Sequence, residues 1–132
     1  MSAQESKKIV EDAFGAMSRG DSEGFMQRLS DDIRWTIIGT TRYSGTYAGK
    51  QQLVERLLTP IMADLESGIR QNVQNVIAEG DTVVVQTQGE SMTKSGKPYN
   101  NTYCLVIRVA DDKIAELTEY LDTELVTEAF WS

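Results

Sequence analysis

A chain of 132 residues has room for one compact core, and a net charge of −7 with only 13 scattered Lys and Arg residues excludes the clustered basic surface that nucleic-acid phosphates require. The polar start, MSAQESKK, and the lack of an apolar run of signal-peptide or membrane-span length lead us to expect a cytoplasmic protein with no membrane partner. One cysteine, Cys104, allows no internal disulfide, and zero histidines remove the usual base of serine and cysteine hydrolases together with the commonest transition-metal ligand.

In chain order, Ser2 with Glu5 forms a capping box, and Ile9, Val10, Ala13, Phe14 and Met17 recur at helical spacing until Gly20. Asp21 is the N-cap of a short second helix whose inner edge is Phe25, Met26 and Leu29. The segment DIRWTIIG alternates as a strand with Ile33, Trp35 and Ile37 on one side. A loop, TTRYSGTYAGK, leads to a third helix over roughly 50–58, closed before Pro60. From about Glu66 the pattern becomes a four-strand meander: IRQNVQNVIA, TVVVQTQGESM, YNNTYCLVIRV and KIAELTEYL. Its turns fall at Glu79-Gly80-Asp81, at 94–97 and at Asp111-Asp112. A last helical piece carries Leu125, Val126, Phe130 and Trp131, which are expected to pack on the sheet or on a partner chain. With no repeat or linker, one domain over 1–132 is expected, of the α+β class with helices against one face of a curved sheet.

The stretches GDSEGFMQRLSDDIRWTIIG, SGTYAGKQQLVERL and SGKPYNNTYCLVIRVADDKIAELTEYLDT resemble the SnoaL-like branch of the nuclear transport factor 2-like superfamily. The resemblance implies a cone-shaped, curved antiparallel sheet with N-terminal helices over a deep pocket, commonly in a homodimer. The superfamily includes ketosteroid isomerases, polyketide cyclases and limonene epoxide hydrolases, and the fold alone selects none of these chemistries.

Similarity to the epoxide hydrolases places their water-activating aspartate on Glu119. If the turn at 94–97 is two residues shorter here, their second aspartate falls on Glu90 and their bridging arginine on Gln88. The tyrosine and asparagine that hold the attacking water fall on Trp35 and Ile37, so those groups are lost. Similarity to the ketosteroid isomerases places their base on Ile37, their tyrosine on Ala13 and their buried acid near Leu105, all apolar. The histidine-dependent scytalone dehydratase mechanism is excluded. The polyketide cyclases of the group rely on one pocket carboxylate, which this sequence retains.

Strand alternation by itself selects a candidate set. Glu119 shares a face with Leu117 and Leu121; Glu90 shares one with Gln86, Gln88 and Met92; Asn101 and Tyr103 share one with Leu105 and Ile107. If these faces converge, Glu119 and Glu90 are the candidate catalytic carboxylates, and Trp35, Ile37, Tyr47, Gln88, Asn101 and Tyr103 line the ligand site. Desolvation of an acid among leucines raises its pKa toward the range of a general acid or base near neutrality. Two readings follow. One is a cofactor-independent enzyme, of isomerase, cyclase or hydrolase type, acting on an apolar, carbonyl-bearing small molecule. The other is a binding or dimerisation module in which Glu119 is a buried acid satisfied by hydroxyls and amides.

Overall fold

The computed structural model describes residues 1–130; Trp131, expected in the packing of the last helix, lies outside the described residues, as does Ser132. Helix α1 (Ala3–Ser18) opens with the reciprocal Ser2–Glu5 capping box: the Glu5 N–H donates to Ser2 Oγ at 3.1 Å and the Ser2 N–H to Glu5 Oε1 at 2.9 Å. Asp21 caps α2 (Ser22–Gln27) by accepting from the Gly24 N–H at 2.9 Å. Two edge-to-face contacts, Phe14 on Phe25 at 6.1 Å and Phe25 on Trp35 at 6.3 Å, pin both helices to strand β1 (Leu29–Ile37).

The segment after β1 is not entirely a loop. Strand β2 (Gly45–Ala48) pairs antiparallel with β1, setting Tyr47 opposite Trp35. The helix that follows does not close before Pro60. It runs as α3 (Lys50–Gln52), a wide π-type segment (Leu53–Leu58) and α4 (Thr59–Asp64), with Pro60 in the first turn of α4. The Thr59 N–H reaches back five residues to the Val54 carbonyl. The ladder is thus already widened where proline has no N–H to give, which is how the chain stays helical through it.

Strands β3 (Arg70–Glu79), β4 (Thr82–Glu90), β5 (Thr102–Ala110) and β6 (Lys113–Leu121) form the expected meander, and α5 (Thr123–Phe130) follows. Asp111 and Asp112 both have positive φ, 52° and 62°, as the two-residue turn between β5 and β6 requires. The sheet has six strands in the order β2-β1-β6-β5-β4-β3, antiparallel except where β1 lies parallel to β6. That parallel pairing makes the last strand central, with β1 on one side and β5 on the other.

The helices cover the inner face. Leu117, Ile107 and Val83 lie there in one row with Trp35, essentially without exposure, and burying each aliphatic side chain stabilises by about 1.5–3 kcal/mol. A one-residue slip of β6 would expose Leu117 and turn the solvent-facing Tyr120 inward, so burial fixes the register. Among the described residues no helix is long and apolar enough to cross a membrane.

Candidate functional site

The register answers what a carboxylate does between Leu117 and Leu121. Glu119 pairs with Ile37 of β1 and with Leu105 of β5, and Leu105 pairs with Val85 of β4. Residues directly opposite one another share a face, so Glu119 stands in an inner row of otherwise apolar side chains. The residue as a whole is half-buried, with its carboxyl deep among protein atoms. Burial pushes the Glu119 carboxyl up to about 7, against the downward pull of one hydrogen bond, from Trp35 Nε1 to Oε1 at 3.1 Å. The Phe14-Phe25-Trp35 chain of rings holds that indole in place.

Three phenols surround the acid. Tyr47, opposite Trp35, donates its hydroxyl to the Tyr43 carbonyl at 2.7 Å. Tyr103 pairs with Leu121 and is the diagonal neighbour of Glu119 on the next strand. Tyr99, on the segment leading into β5, packs edge-on against Phe130 at 4.7 Å. Burial raises the pKa of all three, and the charge of Glu119 adds to the rise in each. They are neutral donors at any physiological pH.

Asn101 is fully buried, and its amide is completely engaged. Oδ1 accepts from the backbone N–H groups of Thr102 at 2.8 Å and Asp122 at 3.0 Å; Nδ2 donates to the Asp122 carbonyl at 3.0 Å and to the Tyr99 hydroxyl oxygen at 3.2 Å. Asn101 therefore ties the start of β5 to the end of β6 and holds Tyr99 at the same time.

The structure thus brings Glu119, Trp35, Ile37, Tyr47, Asn101 and Tyr103 together on the inner side. It corrects the expectation for Glu90 and Gln88. Val83, Val85, Thr87 and Gly89 face inward on β4, so the alternate residues Gln86, Gln88 and Glu90 point outward and are exposed. Glu90 pairs with Arg70 at the far end of the β3–β4 ladder, on the opposite side of the sheet from Glu119. The residue missed was Tyr99, although its signal was present: Tyr99, Asn101 and Tyr103 recur at every second position. A separate hollow of about 460 Å³ lies between α1 and β3–β4, lined by Val10, Phe14, Val73, Val76 and Val85 among others. Glu119 is not in its wall; Leu105 stands between it and Val85.

Comparisons with known proteins bear on the family and the fold. The sequence matches the SnoaL-like domain family over residues 10–117. It is 23% identical over 124 residues to uncharacterised proteins of Mycobacterium tuberculosis and Mycobacterium bovis, covering 94% of each chain. An NTF2-like protein of Burkholderia xenovorans is 31% identical and superposes with a TM-score of 0.79 over 98% of both chains. The fold is also similar to that of TerC co-crystallised with polyporic acid, with 21% identity, a TM-score of 0.83 and coverage of 97% and 99%. An LEH-like epoxide hydrolase of M. tuberculosis gives 18% identity and a TM-score of 0.75, with coverage of 96% and 90%. With the family match running from the first helix into the last strand of an α+β sheet of this topology, the chain belongs to the SnoaL-like family of NTF2-like proteins.

Proposed function

We propose that this protein binds a mostly apolar, carbonyl-bearing small molecule on the inner side of its sheet, and that Glu119 moves a proton on it without a metal or organic cofactor. The observation that carries the reading is the Glu119 carboxyl itself: buried in an apolar row, hydrogen-bonded by one neutral indole, and brought to about 7. A group poised there is ionised often enough to accept a proton at neutral pH and protonated often enough to return it. In the step envisaged, the carboxylate takes a proton from the carbon beside the carbonyl. The C–H electrons pass into the C–C bond, the carbonyl oxygen takes up the negative charge, and Glu119 returns the proton at a second position. The net change is an isomerisation, or a ring closure if the carbanion attacks a carbonyl of the same molecule. A small-molecule role is supported by two proteins of similar fold, TerC, co-crystallised with polyporic acid, and an epoxide hydrolase of M. tuberculosis.

Nitrobenzisoxazole tests this without knowledge of the natural substrate. A base removes its ring C–H proton, the N–O bond breaks, and a coloured cyanophenolate forms. We expect a protein-dependent rate that rises with pH through about 7 and drops at least about a hundredfold in Glu119→Gln, the lower end of what a general base contributes. An equal rate in that variant rejects Glu119 as a base and favours the binding-module reading.

A further inference from the structure

We propose that Tyr99 and Tyr103 act as a hydrogen-bond donor pair, set by Asn101, for the oxygen of the ligand on which Glu119 acts. The inference rests on the proposed role of Glu119 for its chemical meaning and on independent geometry for its existence.

Two backbone N–H groups, those of Thr102 and Asp122, point at one end of Asn101. That end must be the carbonyl oxygen, because an NH₂ group accepts nothing. The other end is then the NH₂ group, and its two hydrogens go to the Asp122 carbonyl and to the Tyr99 oxygen. Tyr99 is thereby fixed as the acceptor in its bond with Asn101 and cannot spend its own proton there.

The Tyr99 and Tyr103 hydroxyls lie close enough to influence each other's ionisation. Two hydroxyls carry two protons, and a bond between them would use only one. At least one is therefore left over, and among the described residues no carbonyl or carboxylate takes it. Tyr47 and Tyr43 differ in this respect: each gives its proton to a protein oxygen, Tyr47 to the Tyr43 carbonyl and Tyr43 to Asp64 at 2.9 Å.

The spare donor belongs to residues that are only 2% and 5% exposed and that lie on the Glu119 side of the sheet. A donor held away from bulk water by a preset network is most effective where an oxygen gains negative charge during reaction. The pair therefore suits a ligand whose oxygen becomes anionic when Glu119 removes a proton, an enolisable ketone or a phenol. Phe130 braces the Tyr99 ring and Thr87 stands opposite Tyr103, so the pair is held by packing as well as by Asn101. Tyr99 and Tyr103 would touch the ligand; Asn101 acts through Tyr99 and is a positioning residue.

The test is a binding measurement with nitrophenol, whose phenolate is coloured, so affinity for the neutral and ionised forms is read separately. The host is the full chain carrying Glu119→Gln, which removes the competing negative charge. We expect phenolate affinity to fall about tenfold in Tyr99→Phe and in Tyr103→Phe, the loss of one charge-assisted hydrogen bond, with little change for neutral nitrophenol. Asn101→Ala should weaken phenolate selectively as well, whereas a merely structural defect would weaken both forms alike. Equal phenolate affinity in parent and phenylalanine variants overturns the proposal, and so does the lack of saturable binding to a parent that is folded by circular dichroism. Because no turnover is involved, an unchanged nitrobenzisoxazole rate in Glu119→Gln would reject the glutamate base and leave this result standing.

Discussion

Trp35 Nε1 donates to Glu119 Oε1 at 3.1 Å across the parallel pairing of β1 with β6, and this single neutral hydrogen bond does not offset the burial of the carboxyl. The consequence is an acid whose ionisation is linked to folding. In the unfolded chain it titrates at its ordinary value of 4.5, and in the fold at about 7. The folded state therefore binds the extra proton, and the resulting stabilisation is complete below 4.5 and gone once the pH has risen through about 7. The full difference is worth about 3 kcal/mol. Urea unfolding at about pH 5 and about pH 8 should show a loss of that order on going up, and Glu119→Gln should remove most of it. The titratable groups facing the carboxyl, Tyr47, Tyr99 and Tyr103, are phenols that burial keeps neutral across that range and so do not mask the effect.

Trp35→Phe keeps an aromatic ring against Phe25 and removes the donor. A hydrogen bond to an ionised group contributes about 1.5–3 kcal/mol, so the Glu119 midpoint should move up by about one pH unit or more. Carboxyl titration followed by NMR with labelled glutamate checks this; a midpoint that falls or stays put contradicts the assignment of Trp35 as the partner that lowers it.

Asn101→Ala leaves two backbone N–H groups and one backbone carbonyl without their partner at a fully buried position. The expected cost is about 2–4 kcal/mol, large for a polar-to-alanine change. A denaturant midpoint near that of the parent chain would mean that the β5–β6 junction does not depend on this amide.

Glu90→Gln alters an exposed carboxylate on the outer side of the sheet. Stability should stay within about 0.5 kcal/mol and the nitrobenzisoxazole rate should be unaffected. A rate loss like that of Glu119→Gln would restore Glu90 to the site and refute the placement of Gln86, Gln88 and Glu90 on the outer face.

Gly39 has φ +93°, and a Cβ there would sit 2.7 Å from the Thr123 Cγ2 methyl group. Gly39→Ala should therefore destabilise by about 1–3 kcal/mol through backbone strain and the collision with the start of α5. Thermal unfolding reads the effect, and pairing the variant with Thr123→Ser, which removes that methyl, should recover the steric share of the loss.

The local signals in the sequence were sufficient for most elements because each rests on neighbours in the chain. The Ser2–Glu5 box, the Asp21 cap, the positive-φ turn at Asp111-Asp112 and the alternation of β6 are set by residues a few positions apart. The same alternation placed Glu119 among leucines. Which faces meet is not a local property. Glu119 and Glu90 each sit in a well-patterned strand, but only the pairing of β6 with β1 and β5, and the choice of Val83 and Val85 over Val84 as the buried valines of β4, puts one acid inside and the other in water. Three valines in a row carry no parity, and the packing of α1 and the sheet rows decides it. Likewise a widened helical turn let the chain pass Pro60, and the Tyr99–Asn101–Tyr103 network exists only because Asp122, twenty-one residues beyond Asn101, folds back onto its amide. Short-range sterics and hydrogen bonding were written in the order of residues; desolvation, which sets the character of Glu119, depends on what the rest of the chain brings around it.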